Sequence, residues 1–298
     1  MTGNRARRLF CFGLGYSAGV LAQALLAEGW RVAGTCRTEE KRRTLAGRGI
    51  EAFLFDRGRP LDDAAAALSG TTHLLSSVPP DREGDPVLDH HAADVAAVPG
   101  LAWAGYLSTT GVYGDRGGAW VDETAERAPV TDRGRARARA EEGWTALWRE
   151  RGVPVHLFRL PGIYGPGRSA IDALRAGTAR RVDKPGQVFS RIHVEDIAGA
   201  LAASMARPDP GAAYNVCDDE PAPSPEVVAF AAGLIGVEPP PLVPFAEAGL
   251  SPMAASFYAE SKRVSNRRLK EELGYRLRFP TYREGLAAQA GTEGLTPG

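Results

Sequence analysis

A glycine turn set between a short apolar run and an amphipathic segment constrains this chain more than any other feature. Leu9-Phe10-Cys11-Phe12 reads as a buried strand, Gly13-Leu14-Gly15-Tyr16-Ser17-Ala18 is the turn, and helical periodicity then runs on towards Gly29. Gly13, Gly15 and Ala18 fill the G-x-G-x-x-G/A positions of a strand-turn-helix unit that cradles a dinucleotide. Gly13 permits the tight turn, and Gly15 lets a pyrophosphate approach the backbone. Small Ala18 lets the helix pack close to the strand, so that its first N–H groups face the anion. An ordinary tight strand-to-helix turn is the alternative.

The next segments extend the pattern. Arg31 to Arg37 reads as a second strand, and no acidic side chain stands where NAD-selective folds hold the ribose 2′-hydroxyl. Arg37 follows instead, with Lys41, Arg42 and Arg43 behind it. A carboxylate would repel a 2′-phosphate, whereas a guanidinium binds one with paired hydrogen bonds, so the expected cofactor is NADP, with NAD the alternative. Gly49 to Asp56 is a third strand whose terminal carboxylate, Asp56, is placed to reach an adenine edge. Further strands are expected over Thr72–Pro80, Leu101–Ser108 and Val153–Leu160, with helices between them and a long one from about Arg133 to Arg149. Strands alternating with helices predict an α/β fold, a Rossmann-type doubly wound parallel sheet with a smaller C-terminal substrate lobe. The expected division is a dinucleotide-binding domain over 1–166, joined again by 188–218, and a lobe built from 167–187 and 219–298.

Bulk properties narrow the function. Lysine and arginine together number 36 and so do aspartate and glutamate, which gives no electrostatic footprint for nucleic acid or an anionic membrane. No stretch approaches the roughly 18 apolar residues that span a bilayer. Arg5-Ala6-Arg7-Arg8 before an apolar run imitates an export signal, but Gly13 and Gly15 break the run at once. Cys11, Cys36 and Cys217 are widely spaced and odd in number, as expected of a reduced, cytoplasmic protein. Adjacent His90 and His91 do not share a helix face, and the five histidines show no ligand spacing, so no metal is expected.

Five pieces in order, from the Gly13–Ala18 turn onward, make the chain resemble the extended short-chain dehydrogenase/reductases, the epimerase/dehydratase group acting mostly on nucleotide sugars. The others are Ser108-Thr109-Thr110-Gly111-Val112-Tyr113-Gly114, Arg159 to Gly167, Phe189 to Ala198, and Tyr214 to Asp218. The resemblance implies that Thr109 hydrogen-bonds a substrate carbonyl or hydroxyl. It implies that Ser77, Val78, Pro79 and Ser108 line the cofactor, and that Pro161 and Ile163 pack at its nicotinamide end. Arg191, His193 and Asp196 match a segment that closes the site, with His193 a structural or substrate contact rather than a base. A homodimer is compatible with the resemblance.

One departure carries chemical weight. The group's catalysis rests on Tyr-x-x-x-Lys on one helix face. Tyrosine exchanges the proton while the lysine charge lowers its pKa and binds ribose. Here the corresponding residues are Arg133 and Arg137. Arg137 can still bind ribose, but Arg133 cannot shuttle a proton near neutral pH, because a guanidinium pKa exceeds ~12. Three readings stay open: Tyr113 or Tyr164 supplies the phenol, Arg133 stabilises an oxyanion while water carries the proton, or cofactor binds without turnover. The same substitution fits an atypical subgroup rather than an accident.

The C-terminal third is less patterned. Ala170 to Gly177 reads as a helix and Arg180 to Gln187 as a charged turn, whose Arg180, Arg181 and Lys184 either meet a substrate diphosphate or are ordinary surface charge. Ser224 before Pro225 reads as a helix cap, Tyr282 to Ala288 as the last helix and the tail from Gly291 as frayed, while Ser261 to Tyr275 resembles the group's closing element, which implies Lys262 and Arg263 as substrate contacts. Two functions are expected from the residues: an NAD(P)-dependent oxidoreductase or epimerase/dehydratase acting on a sugar nucleotide or similar hydroxylated metabolite with a non-standard acid/base, or a cofactor-binding regulator without chemistry.

Overall fold

The computed structural model describes residues 7–292. In chain order the elements are β1 (Arg8–Phe12), α1 (Tyr16–Ala27), β2 (Arg31–Cys36), α2 (Glu39–Ala46), β3 (Glu51–Leu54), α3 (Ala64–Leu68), β4 (His73–Ser76), α4 (Pro86–Ala96), β5 (Trp103–Thr109), β6 (Trp120–Val121), α5 (Asp132–Arg151) and β7 (Val155–Leu160). There follow β8 (Gly162–Tyr164), α6 (Ala170–Arg175), β9 (Arg181–Asp183), β10 (Arg191–His193), α7 (Val194–Ala206), β11 (Ala213–Asn215), α8 (Ser224–Leu234), β12 (Leu242–Pro244), α9 (Pro252–Phe257), β13 (Arg263–Val264), α10 (Arg267–Glu271) and α11 (Tyr282–Thr292). Contacts divide the chain into two compact units: residues 1–109, 135–159 and 197–214, and residues 110–134, 160–196 and 215–298.

The first unit is organised by a seven-stranded parallel sheet in the order β11-β7-β5-β4-β1-β2-β3. β1 lies between β2 and β4, so the chain reverses direction of travel across the sheet after β3, the switch that makes the sheet doubly wound. Helices cover both faces of such a sheet, which is why β1, β4 and β7 are buried along their whole length. Phe10, Phe12, Phe55, Tyr106 and Trp144 belong to one apolar cluster. Arg8 is the exception in β1, only 2% exposed, and its guanidinium donates to the carbonyls of Ala67 and Ser69 and to Thr71 Oγ1 while pairing with Glu51 at 2.8 Å. At Gly34 in β2 a Cβ would stand 2.4 Å from the Cys11 carbonyl oxygen, so glycine is what lets the first turn close over the second strand.

The second unit has three two-stranded parallel pairs, β10 with β8, β12 with β9, and β13 with β6. Its apolar cluster joins α6, α8 and α11 through Ile171, Val227, Ala231, Tyr282 and Leu286.

Three local expectations are corrected. The charged turn over Arg180–Gln187 contains β9, because Arg181 to Asp183 pair with Leu242 to Pro244. Ser224 is not the cap of α8: Pro223 is, in extended backbone and without a side-chain bond, and Ser224 is already helical. α11 continues to Thr292, so Gly291 is helical, while the rest of the tail and the first residues of the basic start lie outside the described residues. Among the described residues no helix is long and apolar enough to cross a membrane.

Candidate functional site

The first unit holds the glycine turn. Gly13 has φ +85°, a conformation that side chains resist, and a Cβ there would lie 3.0 Å from Ser77 Oγ and 3.1 Å from Val78. The turn is tied on both sides: Gly13 N–H donates to Thr35 Oγ1 at 2.8 Å, Leu14 N–H to the Thr35 carbonyl, and Ser77 Oγ to the Gly13 carbonyl at 2.5 Å. Gly15 then caps α1 with no side-chain hydrogen bond, and the space where its Cβ would project is open. The early N–H groups of a helix have no partner within it, so the end of a helix opened by glycine is chemically suited to an anion. Within α1, Ser17 and Ala18 are buried against the sheet.

Beyond β2, Arg37 is exposed and its guanidinium has neither hydrogen bond nor ion pair among the described residues. Its carbonyl accepts from Arg59, whose guanidinium also pairs with Asp56 at 2.9 Å. Arg59 therefore ties Arg37 and Asp56 into one corner at the ends of β2 and β3. Arg42 and Arg43 turn instead to Glu39 on their own helix, at 2.7 and 3.4 Å, and so serve as a solvated face. Pro79 lies just past β4 with Ser77 and Val78, on the stretch that borders the turn.

β5 and α5 carry the second set of expected residues. Ser108 is buried and donates to Glu141 Oε1 at 2.6 Å. Glu141 is fully shielded from solvent and receives two bonds from Arg159, at 3.0 and 2.8 Å. Arg137 donates to the Leu107 carbonyl and, at 3.3 Å, to the Tyr106 hydroxyl, and its guanidinium lies over the Tyr106 ring. Burial pushes the Tyr106 phenol up, although Arg137 pulls it back. Asp85, capping α4 through its Oδ1, accepts the Trp144 indole N–H at 2.9 Å with its other oxygen. Thr109 is the last residue of β5.

The second unit holds the remaining candidates. Arg133 is exposed, with its guanidinium 4.4 Å from the Phe257 ring centre and 3.3 Å from Ser256 Oγ. Gly134 beside it is buried, and a Cβ would stand 2.8 Å from the Gly111 carbonyl, so the start of α5 is pressed onto that loop. Tyr113 is fully buried and donates to Asn215 Oδ1 at 2.7 Å. Tyr164 donates to the Thr281 carbonyl at 3.3 Å, and burial holds its phenol far above the ordinary range. His193 packs edge-on against Tyr164 and Phe279, accepts the Glu195 N–H at Nδ1, and is pushed down to about 4 by burial, with Arg278 acting in the same direction. Ile163 pairs in register with Ile192, and Pro161 is half-buried ahead of β8.

The expected substrate cations are held differently from one another. Lys184 donates to the Tyr258 carbonyl and lies over the Phe245 ring. Arg191 donates to the carbonyls of Phe189 and Ala222. Lys262 is buried between the Gly114 carbonyl at 2.8 Å and Glu260 at 2.6 Å, and Arg263 donates to the Gly118 carbonyl.

Residues outside the expected set prove central to these groups. Asp218 is 1% exposed, its Oδ2 has no hydrogen-bond partner among the described residues, and burial raises its carboxyl to about 8 while Arg191 opposes the shift. Asp196, matched earlier only as part of a segment, accepts from Tyr275 Oη and from the N–H groups of Arg278 and Phe279. Arg159 had stood only as the first residue of a matched segment, and Glu141, among the many charges of α5, gave no local signal of its burial.

Comparison with known proteins agrees with this fold. The model of the NAD dependent epimerase/dehydratase family matches residues 91–217. The chain is 30% identical over 285 residues to protein YeeZ of Escherichia coli (strain K12), covering 92% of this chain and 97% of that protein. It is similar to the structure of a functionally unknown conserved protein from Silicibacter pomeroyi DSS, with 53% identity, a TM-score of 0.89, and 96% and 99% of the two chains covered. UDP-glucuronic acid 4-epimerase from Bacillus cereus, in complex with NAD, shares the fold at a TM-score of 0.76 and 15% identity, over 94% and 96% of the chains.

Proposed function

Because the chain belongs to the NAD-dependent epimerase/dehydratase family, we propose that it is a nicotinamide-dependent oxidoreductase or epimerase/dehydratase that takes NADP, with NAD the alternative, and acts on a small hydroxylated metabolite such as a sugar nucleotide. The observation that carries the reading is the cradle: Gly13 at positive φ, open space at Gly15, and an α1 N-terminus without a side-chain cap. These residues fit a dinucleotide, since a pyrophosphate needs both the close backbone approach and the free donors. Arg37, exposed and without an ion pair among the described residues, supports NADP.

When bound, the nicotinamide supplies hydride donation or acceptance. The chain's own part is positioning and charge. Thr109 offers a hydroxyl to the substrate oxygen, and Arg137, fixed by the Leu107 carbonyl, keeps a permanent positive charge where the family has lysine. Neither Arg133 nor Arg137 exchanges a proton near neutral pH, so in this reading water carries it. The same two arginines favour a second reading, a cofactor-binding regulator without turnover.

The test is cofactor titration by fluorescence with Arg37→Asp. NADPH affinity should fall at least tenfold, since a carboxylate replaces the cation facing the 2′-phosphate, while NADH affinity changes less than threefold. Equal losses would remove the NADP assignment, and no binding of either by the unaltered protein would remove the whole reading. Binding without oxidation across nucleotide sugars and small carbonyl compounds would favour the regulator.

A further inference from the structure

Helix α9 buries none of its residues, although it carries Met253 at 67% exposure and Phe257 at 53%. A large apolar side chain left in water forfeits about 1.5–3 kcal/mol relative to full burial, so a short helix presenting two of them offers a contact surface to something else. The helix is nonetheless held in place. Ser251 caps it through the Ala254 N–H, and Tyr258, directly after it, packs edge-on against Phe189 and in tilted contact with Phe245.

Cations converge on this segment. Arg133 lies over the Phe257 ring beside Ser256 Oγ, and Lys184 lies over the Phe245 ring at 5.3 Å. Neither has a carboxylate partner among the described residues, while Glu247 is the single acidic residue between Phe245 and Tyr258. An aromatic face holds a cation in place with ~0.5–1 kcal/mol at exposed sites but does not neutralise it. A guanidinium with a ring on one side and one N–H turned to Ser256 Oγ keeps its other N–H donors for a carboxylate or phosphate. The arrangement is thus a pre-oriented positive fork bordered by bare apolar surface.

We propose that Arg133, Phe257 and Met253 form a binding site for an anionic substrate with a planar apolar body, Arg133 taking its carboxylate. This rests on the reading of the chain as a nicotinamide-dependent protein and, among small hydroxylated metabolites, selects an aromatic or conjugated acid over a sugar nucleotide. It also gives Arg133 a role that a proton shuttle does not require: the side chain at the tyrosine position anchors charge.

The test uses full-length protein saturated with NADPH, titrated calorimetrically with 2-naphthoate, its neutral analogue 2-naphthamide, and UDP. The inference expects 2-naphthoate to bind at least tenfold more tightly than 2-naphthamide. Arg133→Ala should erase that preference, Arg133→Lys should retain part of it, and Phe257→Ala should weaken both naphthyl compounds together. Circular dichroism of each variant separates loss of the site from loss of the fold. Equal binding of acid and amide, an unchanged preference in Arg133→Ala, or binding of UDP alone would each overturn the inference. NADPH binding is measured first and separately, so failure to take cofactor counts against the proposed function and failure to select the acid counts against this site.

Discussion

Glu141 on α5 and Arg159 in β7 form a bidentate ion pair from which water is excluded, with Glu141 fully buried and Arg159 6% exposed. Ser108 donates to the same carboxylate, so one acidic group fixes the end of β5, the middle of α5 and β7. Burying both charges is costly, and their mutual attraction with the added hydrogen bond offsets that cost only while every partner is present.

Removing one charge therefore tests how far the network holds the sheet. Glu141→Gln keeps the shape and an acceptor for Ser108 but removes the negative charge that takes two hydrogen bonds from the buried Arg159 guanidinium. Breaking such a pair costs about 3–5 kcal/mol, so the urea midpoint should fall sharply at pH 7. An unchanged midpoint would mean that solvent reaches Arg159 and that the pair is dispensable.

The region legible from the sequence is the part whose chemistry is local. Gly13, Gly15 and Ala18 act through their own backbone freedom or small size, so a short window of residues contains the whole physical reason for the turn. Arg133 and Arg137 were readable for the same reason, as substitutions inside one helical turn. What was hidden depends on partners distant in the chain. Nothing near Ser108 announces that its hydroxyl is used by Glu141, 33 residues later. Arg180–Gln187 reads as a turn because β9 exists only through pairing with Leu242–Pro244, and a three-residue strand leaves no periodicity. Asp218 looks like a loop carboxylate until the packed unit removes its water.

Asp218 gives the stability a pH dependence of unusual sign. Its carboxyl stands at about 8 in the folded chain, raised by burial, against ~3.9 for a free aspartate. Between those values the folded state retains a proton that the unfolded chain has released, so stability falls as pH rises through roughly 4 to 8. His193 acts oppositely: lowered by burial to about 4 against ~6.5 when unfolded, it costs stability as pH falls through that window. Asp218→Asn removes the first effect and keeps the second. Its denaturation midpoint should exceed that of the unaltered protein at pH 8, with the gap narrowing towards pH 5. A gap independent of pH would show that Asp218 does not titrate in that range.

Tyr113 separates a structural phenol from a catalytic one. Its hydroxyl is buried and donates to Asn215 Oδ1 at 2.7 Å, while Asn215 N–H donates to Glu123 at 2.7 Å and Asn215 Nδ2 to the Ser265 carbonyl at 3.2 Å. A phenol that exchanges protons must reach substrate or water, whereas this one closes a network with the amide as acceptor. Tyr113→Phe leaves the Asn215 oxygen short of a donor in a dry interior, which costs about 1–3 kcal/mol. The expected result is a lowered urea midpoint with NADPH affinity unchanged within about twofold. If the midpoint stays fixed while NADPH oxidation by any accepted substrate falls a hundredfold or more, Tyr113 is the missing acid, and water is not the proton carrier.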